Sequence, residues 1–154
     1  MSNMIEFQNV SKSYAGHRAI DGLSLKIARG EFVLLIGPSG SGKSTLLKMI
    51  NRMESHDDGH ILFAGQDIHT FQPRDLRLRM GYVIQSIGLF PHWTVERNIA
   101  AVPQLLGWPT EKIHGRVTAL LEQFELDPKI YRKRLPHQLS GGQQQRVGVA
   151  RALG

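Results

Sequence analysis

The sequence contains no cysteine, which excludes a disulfide framework and any thiolate-ligated metal site and is compatible with a reducing compartment. It also lacks a long apolar run. The longest, FVLLIG at 32–37, is far short of the roughly 20 residues that a helix needs to cross a bilayer. The start, MSNMIEFQNVSKSY, has no basic segment followed by an apolar one, so it does not read as a secretory leader. By itself the chain therefore reads as neither secreted nor membrane-spanning. The seven histidines are scattered without further ligands at useful spacing, and they predict no protein-only metal site. Lys and Arg are spread along the chain, with no run longer than the three residues Arg132 to Arg134, and there is no internal repeat and no low-complexity linker. The net charge of +6 then reads first as solvated surface charge and second as a patch for an anion. That anion would be a nucleotide, a nucleic acid or a membrane surface, and charge does not choose among them.

What is present suits one globular domain with a core: 154 residues, 41% hydrophobic and 21% charged. MIEFQNVSKSY alternates around Ile5, Phe7 and Val10. AIDGLSLKIARGEF places Leu23, Leu25 and Ile27 on one face before a glycine turn, and the two stretches predict an antiparallel hairpin. FVLLIG is uninterrupted and predicts a central strand of an α/β sheet, buried on both faces. GHILFAG predicts a short strand or hairpin arm, and MGYVIQ a second strand of the buried sheet. After about Gly88 the pattern turns helical, with Ile113, Val117, Leu120, Leu121 and Phe124 on one packing face. Pro103, Pro109 and Pro128 punctuate this region, which predicts a helical subdomain inserted after a sheet core.

Two stretches carry chemistry. GPSGSGKST at 37–45 fits G-x-x-x-x-G-K-[ST], between a predicted strand and a predicted helix. Gly37, Gly40 and Gly42 let the backbone turn tightly around Pro38, Ser39 and Ser41 and aim N–H groups inward. Lys43 then reaches the β and γ phosphates of a nucleotide, Ser44 ligates Mg²⁺, and the helix beginning through Thr45 adds its positive end. In LSGGQ at 139–143, Ser140 and Gln143 form the S-x-x-Q pattern of a capping box. That accounts for a helix start but not for Gly141 and Gly142, because glycine costs about 0.5–1 kcal/mol relative to alanine in a helix interior. Missing side chains there allow close approach of an anion.

Together these stretches resemble the N-terminal part of ATP-binding-cassette ATPases, with GPSGSGKST as the Walker A loop and LSGGQ as the signature motif. The resemblance spans essentially the whole chain. It implies an α/β P-loop core with an N-terminal antiparallel β subdomain, over 1–88, an inserted helical subdomain over 89–138, and a signature helix over 139–154. It also implies that Tyr14 stacks on adenine and that Gln85 senses Mg²⁺ and the γ-phosphate, which gives Gln85 the catalytic role among these residues. GYVIQSIGLFPHWTVERNIA and PHQLSGGQQQRVGVARAL look most similar to the ATPase subunits of bacterial importers for glycine betaine, choline or carnitine.

The resemblance further implies two partners, a membrane permease and a second ATPase subunit, at the cytoplasmic face of the bacterial inner membrane. The permease contacts the region from Gln85 to Trp93 through Phe90, Pro91, His92 and Trp93. The second subunit pairs head to tail, so that the Walker A loop of one and Ser140 to Gln143 of the other enclose ATP and Mg²⁺. Nucleic acid is not among the expected partners. The family's later elements, a strand ending in Asp-Glu and a switch histidine, have no counterpart here. The expectation is thus a domain truncated before Walker B that binds ATP and does not hydrolyse it alone. Two alternatives stay open: a nucleotide-binding module without catalysis, and a DNA-repair or chromosome-type ATPase. Against the latter, Ser86 to Gln138 contains prolines and no sustained heptads, where those proteins carry a long coiled coil.

Overall fold

β1 (Asn3–Tyr14) and β2 (His17–Ala28) form the antiparallel hairpin that their alternation predicts, with Phe7 opposite Leu25 and Val10 opposite Leu23. The strand turns at Ala15 and Gly16, both at positive φ. Phe7 and Val10 lie three positions apart, which would put them on opposite faces of a regular strand. Asn9, at φ 52°, inserts a bulge between them, and both end up buried. β3 (Asp58–Phe63) pairs with the other edge of β1, and β4 (Gln66–Asp67) with β3, so the sheet runs β2-β1-β3-β4, antiparallel throughout. The GHILFAG expectation is therefore met by β3 and the turn that follows it.

The computed structural model describes residues 3–84 and 88–154 and divides into two units, Met1–Arg79 and Met80–Gly154. In the first, α1 (Lys43–Ile50) buries Leu46, Met49 and Ile50 at i, i+3, i+4 spacing, and the short α2 (Pro73–Arg77) buries Leu76. The core of this unit also takes Phe7, Val10, Ile61, Phe63 and Ile68.

Two strand expectations fail. Residues 31–38 hold no regular structure, and Phe32 and Ile36 are 90% and 86% exposed. Residues 81–84 are also irregular, with Val83 and Ile84 exposed, and Gln85, which ends that predicted strand, lies outside the described residues. The physical reason is pairing. A strand persists only through a ladder of backbone hydrogen bonds to a neighbour, and among the described residues no strand is bonded to either segment. An apolar run records that a segment suits burial on two faces; it does not supply the strands on either side.

In the second unit, α3 (Val95–Ile99), followed by α4 (Ala101–Leu105), joins α5 (Thr110–Gln123) and α7 (Gly141–Ala152) in one apolar cluster, against which Tyr131 of α6 (Pro128–Tyr131) packs. The predicted face of α5 is buried at Ile113, Val117, Leu120 and Leu121, while Phe124 packs half-buried against the same cluster. Val95 and Ile99 of α3 join Val147 and Ala150 of α7 there. Against α7, a Cβ at Gly81 would lie 2.4 Å from the carbonyl oxygen of Ala152, which explains the glycine.

The first unit carries a histidine cluster around Asp67. Asp67 bridges the Nδ1 atoms of His60 (2.9 Å) and His69 (3.1 Å), and His56 sits edge-on to His69 with ring centroids 5.0 Å apart. The His56 Nε2 is buried without a hydrogen-bond partner among the described residues. Burial first, and then the neighbouring His69, push the His56 pKa below its ordinary 6.5, against an opposing pull from Asp67. The unfolded chain therefore binds the proton more readily than the folded one. Stability should fall as pH drops below 6.5 and through the folded pKa. Urea midpoints at pH 8 and pH 5 should differ more for the parent chain than for His56→Gln. Equal differences would remove His56 as the source.

Candidate functional site

The loop at 37–45 is shaped by glycine where glycine is required. Gly40 and Gly42 sit at φ 83° and 70°, and a Cβ on Gly42 would lie 2.4 Å from the Ala19 carbonyl oxygen of β2. No other residue fits at 42 without moving that strand. A Cβ on Gly37 would meet the Ser41 Oγ at 2.7 Å. The loop closes on a bond from the Ser41 N–H to the Pro38 carbonyl (3.3 Å), with Ser39 exposed in the bend. Lys43 folds back over it: its ammonium donates to the carbonyls of Gly37 and Pro38, each at 2.9 Å, and lies 3.4 Å from the Ser41 Oγ. A cation thus stands within a ring of backbone.

α1 begins at this point, with Gly42 as its N-cap, no capping side chain and no acidic residue in its first turn. The first-turn N–H groups of a helix lack intrahelical acceptors, and the helix dipole makes that end positive. Donors and cation without a carboxylate form a site for an anion of phosphate type. Exposed Ser44 and half-buried Thr45 bring hydroxyls to the same turn. Beside the loop lies a cleft of about 500 Å³ lined by Ile20, Leu34, Ile36, Gly42 and Lys43 among others, so an apolar wall adjoins the cationic end. This donor set has the chemistry to take the phosphates of a nucleoside triphosphate, and the Ser44 hydroxyl is of the oxygen type that magnesium accepts. Tyr14 closes β1 in the same unit, 42% exposed, with the Lys12 ammonium 5.2 Å from its ring centroid.

The second unit carries LSGGQ. Leu139 is buried, and Ser140 caps α7 through both bonds of the capping box. Its Oγ accepts from the Gln143 N–H (3.3 Å), and the Gln143 Oε1 accepts from the Ser140 N–H (2.9 Å). The Gln143 Nε2 also donates to the Tyr131 hydroxyl at 3.0 Å, so this amide is engaged at both ends. Gly141 and Gly142 differ. Neither has a positive φ, and a Cβ on either would meet nothing within 4 Å. Neither backbone strain nor packing within the described residues calls for glycine there. Gly141→Ala and Gly142→Ala should therefore each raise the stability of this chain, by about 0.4–1 kcal/mol. A lower melting temperature in either variant would show a constraint that this geometry does not contain.

The aromatic pair predicted to dock a partner is ordered by a residue that sequence reasoning missed. The Phe90 and Trp93 rings lie 4.3 Å apart, with the Arg97 guanidinium 4.3 Å from the Trp93 ring, while Pro91 and His92 are exposed between them. Asn98, fully buried, accepts from the Phe90 N–H (2.8 Å) and donates to the carbonyls of Phe90 (3.2 Å), Trp93 (3.1 Å) and Thr94 (3.1 Å). The signal was available: Asn98 is a polar residue between the apolar positions Val95 and Ile99 of one short helix. Gln85 lies outside the described residues.

A sequence profile described as ABC transporter matches residues 20–154. The chain is 57% identical over 150 residues to the glycine betaine uptake system ATP-binding protein YehX of Escherichia coli, covering 97% of this chain and 48% of that protein. It is 50% identical to the choline transport ATP-binding protein OpuBA of Bacillus subtilis, covering 97% of this chain and 39% of that one. The chain thus spans about half the length, or less, of these curated relatives. Among solved structures, the fold matches a bacterial ABC transporter cassette in a dimeric state with a TM-score of 0.82 at 34% identity, covering 97% of this chain and 69% of that one. A post-hydrolysis dimer of the same cassette, bound to ADP and Pi, matches with a TM-score of 0.82 at 33% identity, over the same shares.

Proposed function

The chain belongs to the ABC transporter family, and from that premise we propose that it is part of the ATP-binding subunit that energises a membrane importer for quaternary-amine osmoprotectants such as glycine betaine or choline. The observation that carries the nucleotide reading is the Lys43 ammonium, held 2.9 Å from two loop carbonyls at the uncapped start of α1. The names of the relatives at 57% and 50% identity support the solute class. In this reading Gly37, Pro38, Ser39, Gly40, Ser41 and Gly42 wrap the phosphates of ATP, with Lys43 as their cation. Thr45 stands at the helix start, Ser44 offers its hydroxyl to Mg²⁺ and Tyr14 takes the adenine; part of the same proposal is that Gln85 senses Mg²⁺ and the γ-phosphate. Held by the Ser44 hydroxyl, Mg²⁺ would supply charge neutralisation of the nucleotide phosphates. Ser140, Gly141, Gly142 and Gln143 serve the nucleotide of a second subunit paired head to tail. Phe90 and Trp93 meet the permease at the cytoplasmic face of the bacterial inner membrane, since paired aromatics make strong interface anchors.

Calorimetric titration of the chain with ATP, with and without Mg²⁺, tests the core of this reading. One saturable site that weakens when the metal is chelated is expected. Absence of saturable binding up to millimolar ATP would overturn it. For the permease, Phe90→Ala with Trp93→Ala in an intact homologous subunit should reduce co-purification and glycine betaine uptake together; unchanged values would retire the docking role.

A further inference from the structure

Lysine is almost never fully buried unless it is paired, and Lys12 is 7% exposed. Its ammonium reaches the Asp57 Oδ1 (3.2 Å), the Ser55 Oγ (3.4 Å) and the Glu54 Oε1 (3.6 Å), and it lies over the Tyr14 ring. A space-filling role would be met by methionine without any desolvation penalty. Two carboxylates gathered on one buried ammonium indicate that the charge itself is used. Burial pulls its pKa down, and the hydrogen bond and charge of Asp57, together with the charges of Glu54 and Tyr14, more than offset that, leaving it above the ordinary value.

The carboxylates come from the turn just beyond the far end of the helix that starts at the phosphate-type loop. The N–H groups of Met53 and Glu54 both donate to the Lys48 carbonyl (2.9 and 3.2 Å), which fastens Glu54 to the last turn of α1. Asp57 grips β1 on both sides of Lys12: its carboxylate accepts from the Ser13 N–H (2.7 Å), and its own N–H donates to the Ser11 carbonyl (2.9 Å). One residue beyond Ser13, β1 ends at Tyr14. The loop holding Lys43 and the aromatic Tyr14 are therefore joined through α1, the turn at 51–57 and this ion cluster.

We propose that Lys12, clamped by Asp57 and Glu54, is a positioning residue that fixes the Tyr14 ring for stacking on a purine while α1 holds the phosphates, so that base and triphosphate are presented at a set spacing. The inference rests on the reading of Tyr14 as the adenine platform. An ammonium over one face of an aromatic ring restricts the ring and is attracted by its quadrupole. A flat base then stacks on a ring that no longer has to be ordered on binding.

The test compares ATP with inorganic tripolyphosphate, which carries the phosphates and no base, by calorimetry on the 154-residue chain. Lys12→Met and, as a near-isosteric second variant, Asp57→Asn should each weaken ATP binding about two- to fivefold, the scale of a cation–aromatic contact. Both should leave tripolyphosphate affinity unchanged, and neither should weaken ATP further in a Tyr14→Ala background. Lys12→Arg should retain most of the affinity. Equal weakening toward both ligands would make Lys12 a structural residue and overturn the proposal, as would an ATP loss that persists without Tyr14 or no loss at all. If Tyr14→Ala itself leaves the preference for ATP over tripolyphosphate intact, the adenine reading of Tyr14 fails, a result distinct from failure at Lys12 alone.

Discussion

Lys43→Ala should weaken binding of ATP with Mg²⁺ by about two orders of magnitude while leaving the fold in place. A hydrogen bond to a charged group contributes about 1.5–3 kcal/mol, and an ammonium placed among phosphates makes more than one. Even two contacts at the low end give a loss near a hundredfold, with 1.4 kcal/mol for each factor of ten. Stability should change little because the partners that Lys43 gives up, the carbonyls of Gly37 and Pro38, are exposed and water replaces the lost donor. The positive φ of Gly42 and its contact with β2 do not depend on the lysine. Calorimetry supplies the affinity and thermal unfolding the control. An affinity within threefold of the parent, with the melting temperature unchanged, would remove Lys43 from the site.

Local features of this chain were legible in its sequence because local rules produced them. The hairpin followed from alternation at Ile5, Phe7, Leu23 and Leu25, and the start of α7 from Ser140 and Gln143, whose bonds lie three residues apart. The loop around Lys43 followed from glycine spacing that leaves few backbone paths. The failures share a different cause. FVLLIG and GYVIQ have the composition of buried strands, yet strand formation depends on neighbours that composition does not name, and the described residues provide no ladder for either. The bulge at Asn9 was equally hidden: a period of two places Phe7 and Val10 on opposite faces, and only the paired sheet shows the inserted residue.

Polar residues in apolar settings were the other gap. Lys12 and Asn98 stand in stretches read for their hydrophobic pattern, where a single polar position looks like an interruption. In the structure both are buried and bonded, Lys12 to residues more than forty positions away and Asn98 to the turn just before its helix. The Lys12 cluster demands tertiary structure to be seen. Asn98 does not, since all four of its side-chain bonds reach residues within eight positions.

That locality makes Asn98→Ala the most informative stability variant in the second unit, with an expected loss of about 2–4 kcal/mol. The side chain adds hydrogen bonds to an irregular turn: its Oδ1 holds the Phe90 N–H, and its two amide hydrogens are shared among the carbonyls of Phe90, Trp93 and Thr94. Leaving a buried polar group unsatisfied costs about 1–3 kcal/mol, and four groups lose the Asn98 side chain together, although the Phe90 and Thr94 carbonyls keep the backbone N–H groups of Trp93 (3.1 Å) and Asn98 (2.9 Å). The total stays well below the sum because Phe90 is 46% exposed and water reaches part of the turn. Asn98→Asp separates hydrogen bonding from volume. The carboxylate preserves size and the bond from the Phe90 N–H, but it turns an acceptor toward three carbonyls inside a fully buried site, so it should destabilise at least as much as alanine. In both variants the 4.3 Å spacing of the Phe90 and Trp93 rings loses its anchor, and any partner that reads that pair should bind more weakly than the stability loss alone explains. Urea unfolding at neutral pH measures the first effect. A loss under 1 kcal/mol for alanine, or an aspartate variant as stable as the parent, would show that the turn at 90–94 is held by something other than Asn98.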